Sequence, residues 1–275
     1  MKIVWHAQEI DLRQPAALLA FSGWGDAGRA ATTTARHLIE TYPGRVVAEI
    51  PPDKFFDFTV RRPITYLDGD ERKIRWPETQ IHVVHHLGRD LVVVLGEEPH
   101  LRWKLFTGVI TDALARLGVQ KAILLGAFLG EVPHTRPTPI FGSTGNRVLL
   151  DEHRLNSTNY QGPTGIVGVL TSALAESEIP AAALWGAVPH YLEDPDYPPA
   201  AYALLNKLSD VLEINVPAGD IAARSLEMRI ALDAELEDQP DLLAHIRKLE
   251  AILPVEEFGQ GSLVDEIERF LQDGG

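Results

Sequence analysis

The chain has 275 residues and no cysteine, so disulfides, thiolate metal sites and cysteine catalysis are excluded. Its formal charge of −14, from 39 acidic and 25 basic residues, makes nucleic acid and anionic membrane surfaces poor partners. The sequence shows neither a secretory leader nor an apolar run of the ~20 residues that span a membrane, so we expect a cytoplasmic protein.

The first predicted unit, residues 16–42, consists of a strand, a glycine loop and a helix. Residues 16–21 are mostly apolar and predict a buried strand, and residues 23–28 form the glycine loop. The helix is predicted by apolar residues at spacings of 4, 3 and 4, namely Ala31, Ala35, Leu38 and Tyr42. A strand, a loop and a helix in this order are typical of the start of an α/β domain. The free backbone amides at the N-terminus of the helix then lie at the end of the strand, where anions can bind.

The next segment predicts antiparallel strands. Residues 45–50 read as a second strand, and two short β-like segments between residues 55 and 75 flank the turn sequence Asp68-Gly69-Asp70. Two further strands are predicted at residues 81–86 and 91–95. A doubly wound parallel sheet would have a helix in this region, so we expect a mixed sheet.

After Leu95 the strand–helix alternation resumes, and past Pro217 only helices are predicted. The predicted helices and strands up to Pro217 are helix 101–117, strand 121–128, helix 166–177, strand 181–188 and a helix striped by Ala201, Leu205, Leu208 and Leu212. A Pro- and Gly-rich loop at residues 132–146 is long enough to be a lid or a site loop. The fold predicted is a three-layer α/β/α sandwich with a mixed sheet.

Residues 216–275 carry 14 acidic and 5 basic residues. Three helices are predicted there, the last of them opened by Ser262. We therefore divide the chain into an α/β core domain, residues 1–217, and an acidic helical C-terminal domain, residues 218–275.

The glycine loop permits three interpretations. Gly23-Trp24-Gly25-Asp26-Ala27-Gly28 has the G-x-G-x-x-G spacing of dinucleotide-binding loops. Against a dinucleotide, a hairpin replaces the expected crossover, and the Asp26 carboxylate can cap the helix itself. Gly25 to Arg29 also resembles the phosphate loop of bacterial purine nucleoside phosphorylases, but the Met-Glu pair of that family is absent. The third interpretation is a tight turn under an aspartate cap, and we predict no cofactor.

Polar residues follow four predicted parallel strands at the edge where open α/β sheets bind ligands. Carboxylate, imidazole and guanidinium groups that meet at this edge would suit general acid–base catalysis on an anionic or amide substrate. Strand ends must also exit into polar loops, so a purely structural role stays open. The ligand-binding candidates are Trp24, Asp26, Arg29, Glu97, Glu98, His134, Arg136, His190 and Tyr191, and the same clusters include His100 and Glu131.

We identify no catalytic residue and no metal set in the sequence. His82, His85 and His86 lie on one predicted strand, where 82 and 85 face opposite sides, as do 85 and 86, so they cannot share an ion without a bulge. A G-x-S-x-G nucleophile elbow is also missing.

Taken together, the motifs resemble the bacterial branch of the proteasome assembly chaperone family, the family of the second eukaryotic assembly chaperone. The matching stretches are FSGWGDAGRAA (21–31), GEEPHLRW (96–103), VPHTRP (132–137), YQGPTGIVGVL (160–170), LWGAVPHYL (184–192) and PPAAYALL (198–205). The resemblance implies an α/β core shaped like phosphorylase and hydrolase folds, a helical C-terminal extension and a protein partner, with proteasome subunits as candidates. The hydrophobic-Tyr-X tail by which eukaryotic and archaeal relatives dock is not found in the final residues Phe270 to Gly275.

Two functions follow as alternatives. One is a protein-binding, chaperone-like factor, and the other is a small-molecule enzyme of phosphorylase or hydrolase type acting on a nucleoside, phosphate ester or amide. We favour the first, because no nucleophile–base pair or complete phosphate–ribose constellation can be assembled. We also expect a homo-oligomer, dimer or trimer, since the predicted hairpin is too thin to bury Phe55, Phe56, Phe58 and Trp76.

Overall fold

A computed structural model describes residues 3–86, 88–143, 156–157, 161–177, 179–192 and 196–252. The strands are β1 Val4–Trp5, β2 Ala16–Ser22, β3 Gly44–Ile50, β4 Ile64–Asp68, β5 Glu71–Arg75, β6 Thr79–His85, β7 Asp90–Glu97, β8 Lys121–Gly130, β9 Ile140–Ser143, β10 Asn156–Ser157 and β11 Ala181–Pro189. The helices are α1 Ala30–Thr41, α2 Trp103–Arg116, α3 Ile166–Glu176, α4 Pro198–Leu212, α5 Gly219–Leu236 and α6 Pro240–Ile252.

Nine of the described strands form one mixed sheet in the order β1-β3-β6-β7-β2-β8-β11-β9-β10. Its centre, β7-β2-β8-β11, is parallel. Strand β6 pairs antiparallel with both β7 and β3, and β9 pairs antiparallel with β11. The predicted mixed sheet is confirmed, and the carboxyl ends of its four central strands share one edge.

Helices cover both faces of this sheet, which confirms the predicted α/β/α sandwich. Leu18 and Ala20 of β2 point into the layer formed with α1, α4 and α5. The alternate residues Leu19 and Phe21 point into the layer formed with α2 and α3. The central strands are buried on both faces, which is why their sequences are continuously apolar rather than alternating.

The antiparallel excursion after β3 is also confirmed. Strands β4 and β5 form a separate two-stranded hairpin, paired from Ile64 with Arg75 to Asp68 with Glu71. The turn is therefore Gly69-Asp70, and Gly69 takes the left-handed conformation that such turns require. Strands β6 and β7 then return the chain to the centre of the sheet.

Two expectations about this region and the later loop are wrong. Phe55 and Phe56 are buried rather than exposed on the hairpin, because Phe55 packs edge-on against Phe106 of α2. The predicted loop at residues 132–146 contains strand β9. This strand is only four residues long and lies between Pro- and Gly-rich segments, so the local pattern did not indicate it. Residues 144–146 lie outside the described part of the chain.

Helices α5 and α6 follow the sandwich and pack on it. Ile221 and Leu232 of α5 are buried in the same apolar layer as α1 and α4. Ile246 and Leu249 of α6 are buried as well. The third predicted helix, beginning at Ser262, lies outside the described residues. None of the helices in the described ranges has the length and apolar composition needed to cross a bilayer.

Candidate functional site

The glycine loop between β2 and α1 closes around Asp26. The Asp26 carboxylate accepts hydrogen bonds from the backbone N–H groups of Ala31 (2.8 Å) and Thr32 (3.2 Å) and from the Thr32 hydroxyl (2.6 Å). It therefore satisfies the amide groups that an anionic ligand would need at this helix end. The structure places Asp26 as the cap that the third interpretation predicts.

Burial raises the pKa of Asp26 from 3.8 to about 6, although the hydrogen bonds from Thr32 and Ala31 act in the opposite direction. Only 7% of the residue is exposed. The loss of hydration on burial disfavours the charged carboxylate more than its hydrogen bonds favour it. Asp26 is therefore an internal acid with an altered proton affinity, closed off from the surface.

The loop glycines serve contacts within the chain. Gly28 has a φ of +59°, and a Cβ atom there would come within 2.6 Å of the Tyr197 Cβ. Its carbonyl accepts the backbone N–H of Tyr197 at 2.8 Å. The strand that follows α1, β3, lies three places from β2 in the sheet. Both observations oppose the dinucleotide interpretation, in which the loop approaches a pyrophosphate and the crossover joins neighbouring strands.

Arg29, the phosphate candidate of the same loop, points to the surface. Its guanidinium lies 3.4 Å from the Asp196 carboxylate, and both side chains are well exposed. Arg29 also takes a left-handed backbone conformation, with φ of 49°. The structure pairs this arginine with an acid just before α4 rather than turning it into the loop.

An open groove with a cavity of about 610 Å³ lies at the ends of β2 and β7. Its lining residues are Ser22, Gly23, Trp24, Arg61, Glu97, Glu98, Pro99, His100 and Trp103. Trp24 is 53% exposed and offers a free indole surface. Three of the predicted candidates, Trp24, Glu97 and Glu98, therefore share one concavity.

The acids and the imidazole of this groove already have partners. Arg61 reaches Glu97 from the segment before β4 and donates two hydrogen bonds to its carboxylate, one of them at 2.9 Å. The imidazole of His100 accepts the backbone N–H of Asp57 through Nδ1 at 3.2 Å. A catalytic acid or base must be free to exchange a proton with a substrate, and these contacts hold the groups instead.

Glu98 connects three separate parts of the chain. One carboxylate oxygen accepts the Ile166 N–H at 2.7 Å, the first amide of α3, whose preceding residue Gly165 has no capping side chain. The other oxygen accepts the Trp24 N–H at 3.3 Å. Glu98 is thus a remote helix cap that also fixes the glycine loop.

His134 lies in a second cluster, at the ends of β8 and β11 and beneath α5. It is 1% exposed. The Tyr191 hydroxyl accepts the His134 backbone N–H at 2.8 Å and lies 2.8 Å from its Nδ1, while Nε2 lies 3.2 Å from Asp233 of α5. Since the Asp233 carboxylate can only accept, Nε2–H donates to it, and in the neutral imidazole Nδ1 then accepts the Tyr191 hydroxyl hydrogen. Burial lowers the pKa of His134 and raises that of Tyr191 to about 12.

The loop around His134 binds the C-terminal helices at two further points. The Thr135 hydroxyl donates to Glu250 of α6, and its carbonyl accepts from Arg229 of α5 at 3.0 Å. Arg136, a predicted candidate, is half-buried, and its Nε has no hydrogen-bond partner among the described residues. This polar cluster holds the two helices against the edge of the sheet.

The structure therefore does not bring the predicted candidates into one concavity. Asp26 and His134 are buried, and His190 lies with Tyr191 beside α6, at ring-centroid distances of 5.4 Å from His245 and 5.6 Å from Tyr191. The candidates fall into two separate groups because helices α5 and α6 cover the ends of β8 and β11 but leave the ends of β2 and β7 open. Sequence reasoning missed the partners Arg61, Asp233, His245 and Glu250, since no local pattern connects residues 36 to 115 positions apart.

The three strand histidines are also separate. His82 lies 3.2 Å from the Gln80 side chain, and His85 lies 3.1 Å from Asp90. His86 packs edge-on against Tyr42. Each imidazole has a different neighbour, as the strand alternation predicts.

The fold and this edge define an α/β/α sandwich protein whose strand ends are half covered by a C-terminal helical extension. The chain belongs to the PAC2 family, whose model matches residues 20–236. The resemblance to proteasome assembly chaperones is thereby confirmed. A search among curated proteins found no match.

Solved structures of bacterial relatives share this fold. A PAC2 family protein from Streptomyces avermitilis is 40% identical, with a TM-score of 0.80, and the match covers 84% of this chain and 99% of that chain. A Mycobacterium tuberculosis proteasome-assembly chaperone homologue is 35% identical, with a TM-score of 0.78 and the same coverage of 84% and 99%. A Corynebacterium glutamicum protein of unknown function is 24% identical over 92% of this chain and 97% of that chain, with a TM-score of 0.83, which shows the fold alone.

Proposed function

We propose that this protein is a chaperone-like factor that acts by binding other proteins, with proteasome subunits as the first partners to test. The proposal is supported by membership of the PAC2 family and by the similarity to the Mycobacterium tuberculosis proteasome-assembly chaperone homologue. The observation on this chain that carries it is exposed apolar surface at two places, the β4–β5 hairpin and helix α5.

Every residue of strands β4 and β5 is exposed. Leu67 is 68% exposed and Ile74 is 56% exposed, and the pairing of Ile74 with Thr65 places both on one face of the hairpin, whereas the exposed Ile64 lies on the other face. Among the strands that the structure describes, none besides β4 and β5 pairs with the hairpin. A two-stranded hairpin is marginal by itself, and clustered exposed apolar side chains mark an interface.

The hairpin is suited to a second copy of this chain. Residues 60–76 carry five basic and three acidic side chains, in a chain whose total charge is −14. A basic apolar surface on an acidic protein is attracted to an acidic face of another copy. We therefore assign self-association, as a dimer or trimer, to the hairpin.

A different surface on α5 is suited to the partner protein. Leu226 and Ile230 are each 60% exposed and lie four residues apart, so they are neighbours on one helix face. Two acids, Glu227 and Asp233, lie three residues from Ile230 on the helix, and one base, Arg229, lies three residues from Leu226. This surface, an apolar pair with an acidic rim, would bind an apolar patch with a basic rim on the partner.

The two surfaces provide matched controls for each other. Sedimentation velocity of the full chain should show an oligomer that the double variant Leu67→Lys, Ile74→Lys converts to monomer and that Leu226→Lys leaves intact. A native pull-down from the source cell, with mass spectrometry, should recover a stable partner that is lost with Leu226→Lys. A monomeric wild type, or a partner retained equally by all variants, would contradict these assignments.

The enzyme alternative is not favoured by the groove, because its acids are held by Arg61 and by backbone amides. The groove stays a proposed contact surface through the exposed Trp24 indole. A thermal-shift screen with nucleosides, nucleotides and phosphate, repeated with Trp24→Ala, tests this role. A ligand that stabilises both proteins equally would show that the groove is not its site.

A further inference from the structure

Two imidazoles and a carboxylate meet where α6 crosses the ends of β8 and β11. Glu131 is the first residue after β8, and His190 is the first residue after β11. The parallel register pairs Pro189 with Gly130, so the next residue of each strand lies beside the other. His245 of α6 completes the group, and the ligand atoms of all three lie within 4.8 Å of one another.

The separations are too long for hydrogen bonds. Nε2 of His190 lies 3.8 Å from one oxygen of Glu131, and Nε2 of His245 lies 3.7 Å from the other. A nitrogen–oxygen contact of about 3.6 Å or more is not a hydrogen bond. In a tetrahedral zinc site, bonds of 2.0–2.1 Å place neighbouring ligand atoms ~3.3 Å apart, so these ligand atoms, which lie within 4.8 Å of one another, would draw together by at most ~1.5 Å to bind an ion.

The two imidazoles direct their Nε2 atoms towards this space. Nδ1 of His190 lies 3.4 Å from the Gly130 carbonyl, so that nitrogen is the donor and Nε2 keeps its lone pair. Imidazoles that bind metals are commonly oriented by such a bond from the other ring nitrogen. Nε2 of His245 is shielded from solvent and has no hydrogen-bond partner within the described part of the chain.

We propose that Glu131, His190 and His245 bind a divalent transition-metal ion of the zinc type. Two imidazole nitrogens and a carboxylate oxygen are a ligand set that zinc accepts, with water in the remaining position. The net negative charge of the chain favours a cation. The bound ion would fasten α6 to the strand ends, and it revises the sequence prediction that the chain has no metal set.

The test uses the full chain, stripped with a chelator and titrated with Zn²⁺ against a chromophoric competitor. We expect one equivalent to bind the wild type, and His245→Gln to weaken that binding at least ~100-fold. His6→Gln is the matched control, because His6 faces Glu49 at 3.4 Å in a pair that has no second imidazole. Co²⁺ should give the intense visible absorption of a four-coordinate site in the wild type and in His6→Gln.

Thermal unfolding provides a second readout, since an ion that joins α6 to the sheet should raise the Tm of the wild type but not that of His245→Gln. If His245→Gln does not fold, His190→Gln and Glu131→Gln take its place in both measurements. The proposal is overturned if the stripped wild type binds no stoichiometric Zn²⁺. It is equally overturned if folded variants at these three positions bind the ion as tightly as the wild type.

Discussion

Removing the Glu98 carboxylate should destabilise the protein far more than removing that of its neighbour Glu97. Glu98→Ala leaves the first amide of α3 without its acceptor at 2.7 Å and releases the Trp24 amide at 3.3 Å. A hydrogen bond to a charged group contributes about 1.5–3 kcal/mol, and the longer bond contributes less. Since Glu98 is half-buried, we expect a loss of about 2 kcal/mol in the free energy of unfolding.

Glu97→Ala is the control, because it removes the same side chain one residue earlier. Glu97 contacts Arg61 in a partly exposed ion pair, which typically contributes about 0–1 kcal/mol. Glu98→Gln keeps an oxygen that can accept the helix amide, so its loss should lie between those of the two alanine variants.

Urea unfolding followed by circular dichroism measures all three variants. A loss of about 2 kcal/mol corresponds to a Tm lower by about 4–8 °C in a protein near this size. Equal losses for Glu98→Ala and Glu97→Ala would refute the capping role. A loss below about 0.5 kcal/mol for Glu98→Ala would do the same, because the helix amide would then have found water or another acceptor.

Two further predictions concern the interior. Because burial raises the pKa of Asp26 to about 6, the stability that its protonated form contributes is full below pH 3.8 and is lost as the pH rises through 6. The unfolding free energy of the wild type relative to Asp26→Asn should therefore fall by up to about 3 kcal/mol between pH 4 and pH 7. Urea titrations that show no change in this difference over the range would contradict the prediction. Gly126→Ala should lose about 1–3 kcal/mol in the same unfolding assay, because its methyl group would come within 2.4 Å of the Trp185 ring. Gly108 is the control, because it is exposed on α2 and a Cβ atom there would have no neighbour within 4 Å. Gly108→Ala should therefore raise the free energy of unfolding by about 0.5–1 kcal/mol. Equal effects of the two substitutions would rule out the steric explanation for Gly126.

The layered fold was predictable because burial leaves a local pattern. The continuous apolar residues of β2 and β8 and the 4-3-4 spacing in α1 each depend on one segment and the layer it faces. The hairpin was predictable for a similar reason, since Gly69 supplies the backbone conformation its turn needs. Strands β1 and β9 were missed, because segments of two and four residues carry too little periodicity to be recognised.

The candidate site was only partly predictable, because the sequence places residues at the carboxyl edge but does not show what covers them. Glu131 and His190 were expected near each other, since both follow parallel strands. Their third neighbour, His245, is 55 residues beyond His190 on a helix whose docking depends on tertiary contacts. The burial of Phe55 was unpredictable for the same reason, because it depends on Phe106, a residue that lies after four intervening strands.

The covering of the sheet edge supports the binding role proposed for this α/β fold. In an open α/β sheet, ligands approach the carboxyl ends of the central strands. Here Asp233 and Glu250, from α5 and α6, bind His134 and Thr135 at half of that edge, so the groups a substrate would meet there bind the chain's own helices. The same contacts fix the position of α5 and hold its Leu226 face outward. If the proposed metal ion strengthens this docking, removing it should weaken partner binding at α5 without affecting self-association at the hairpin, and a pull-down from chelator-treated extract with parallel sedimentation measurements would separate the two effects.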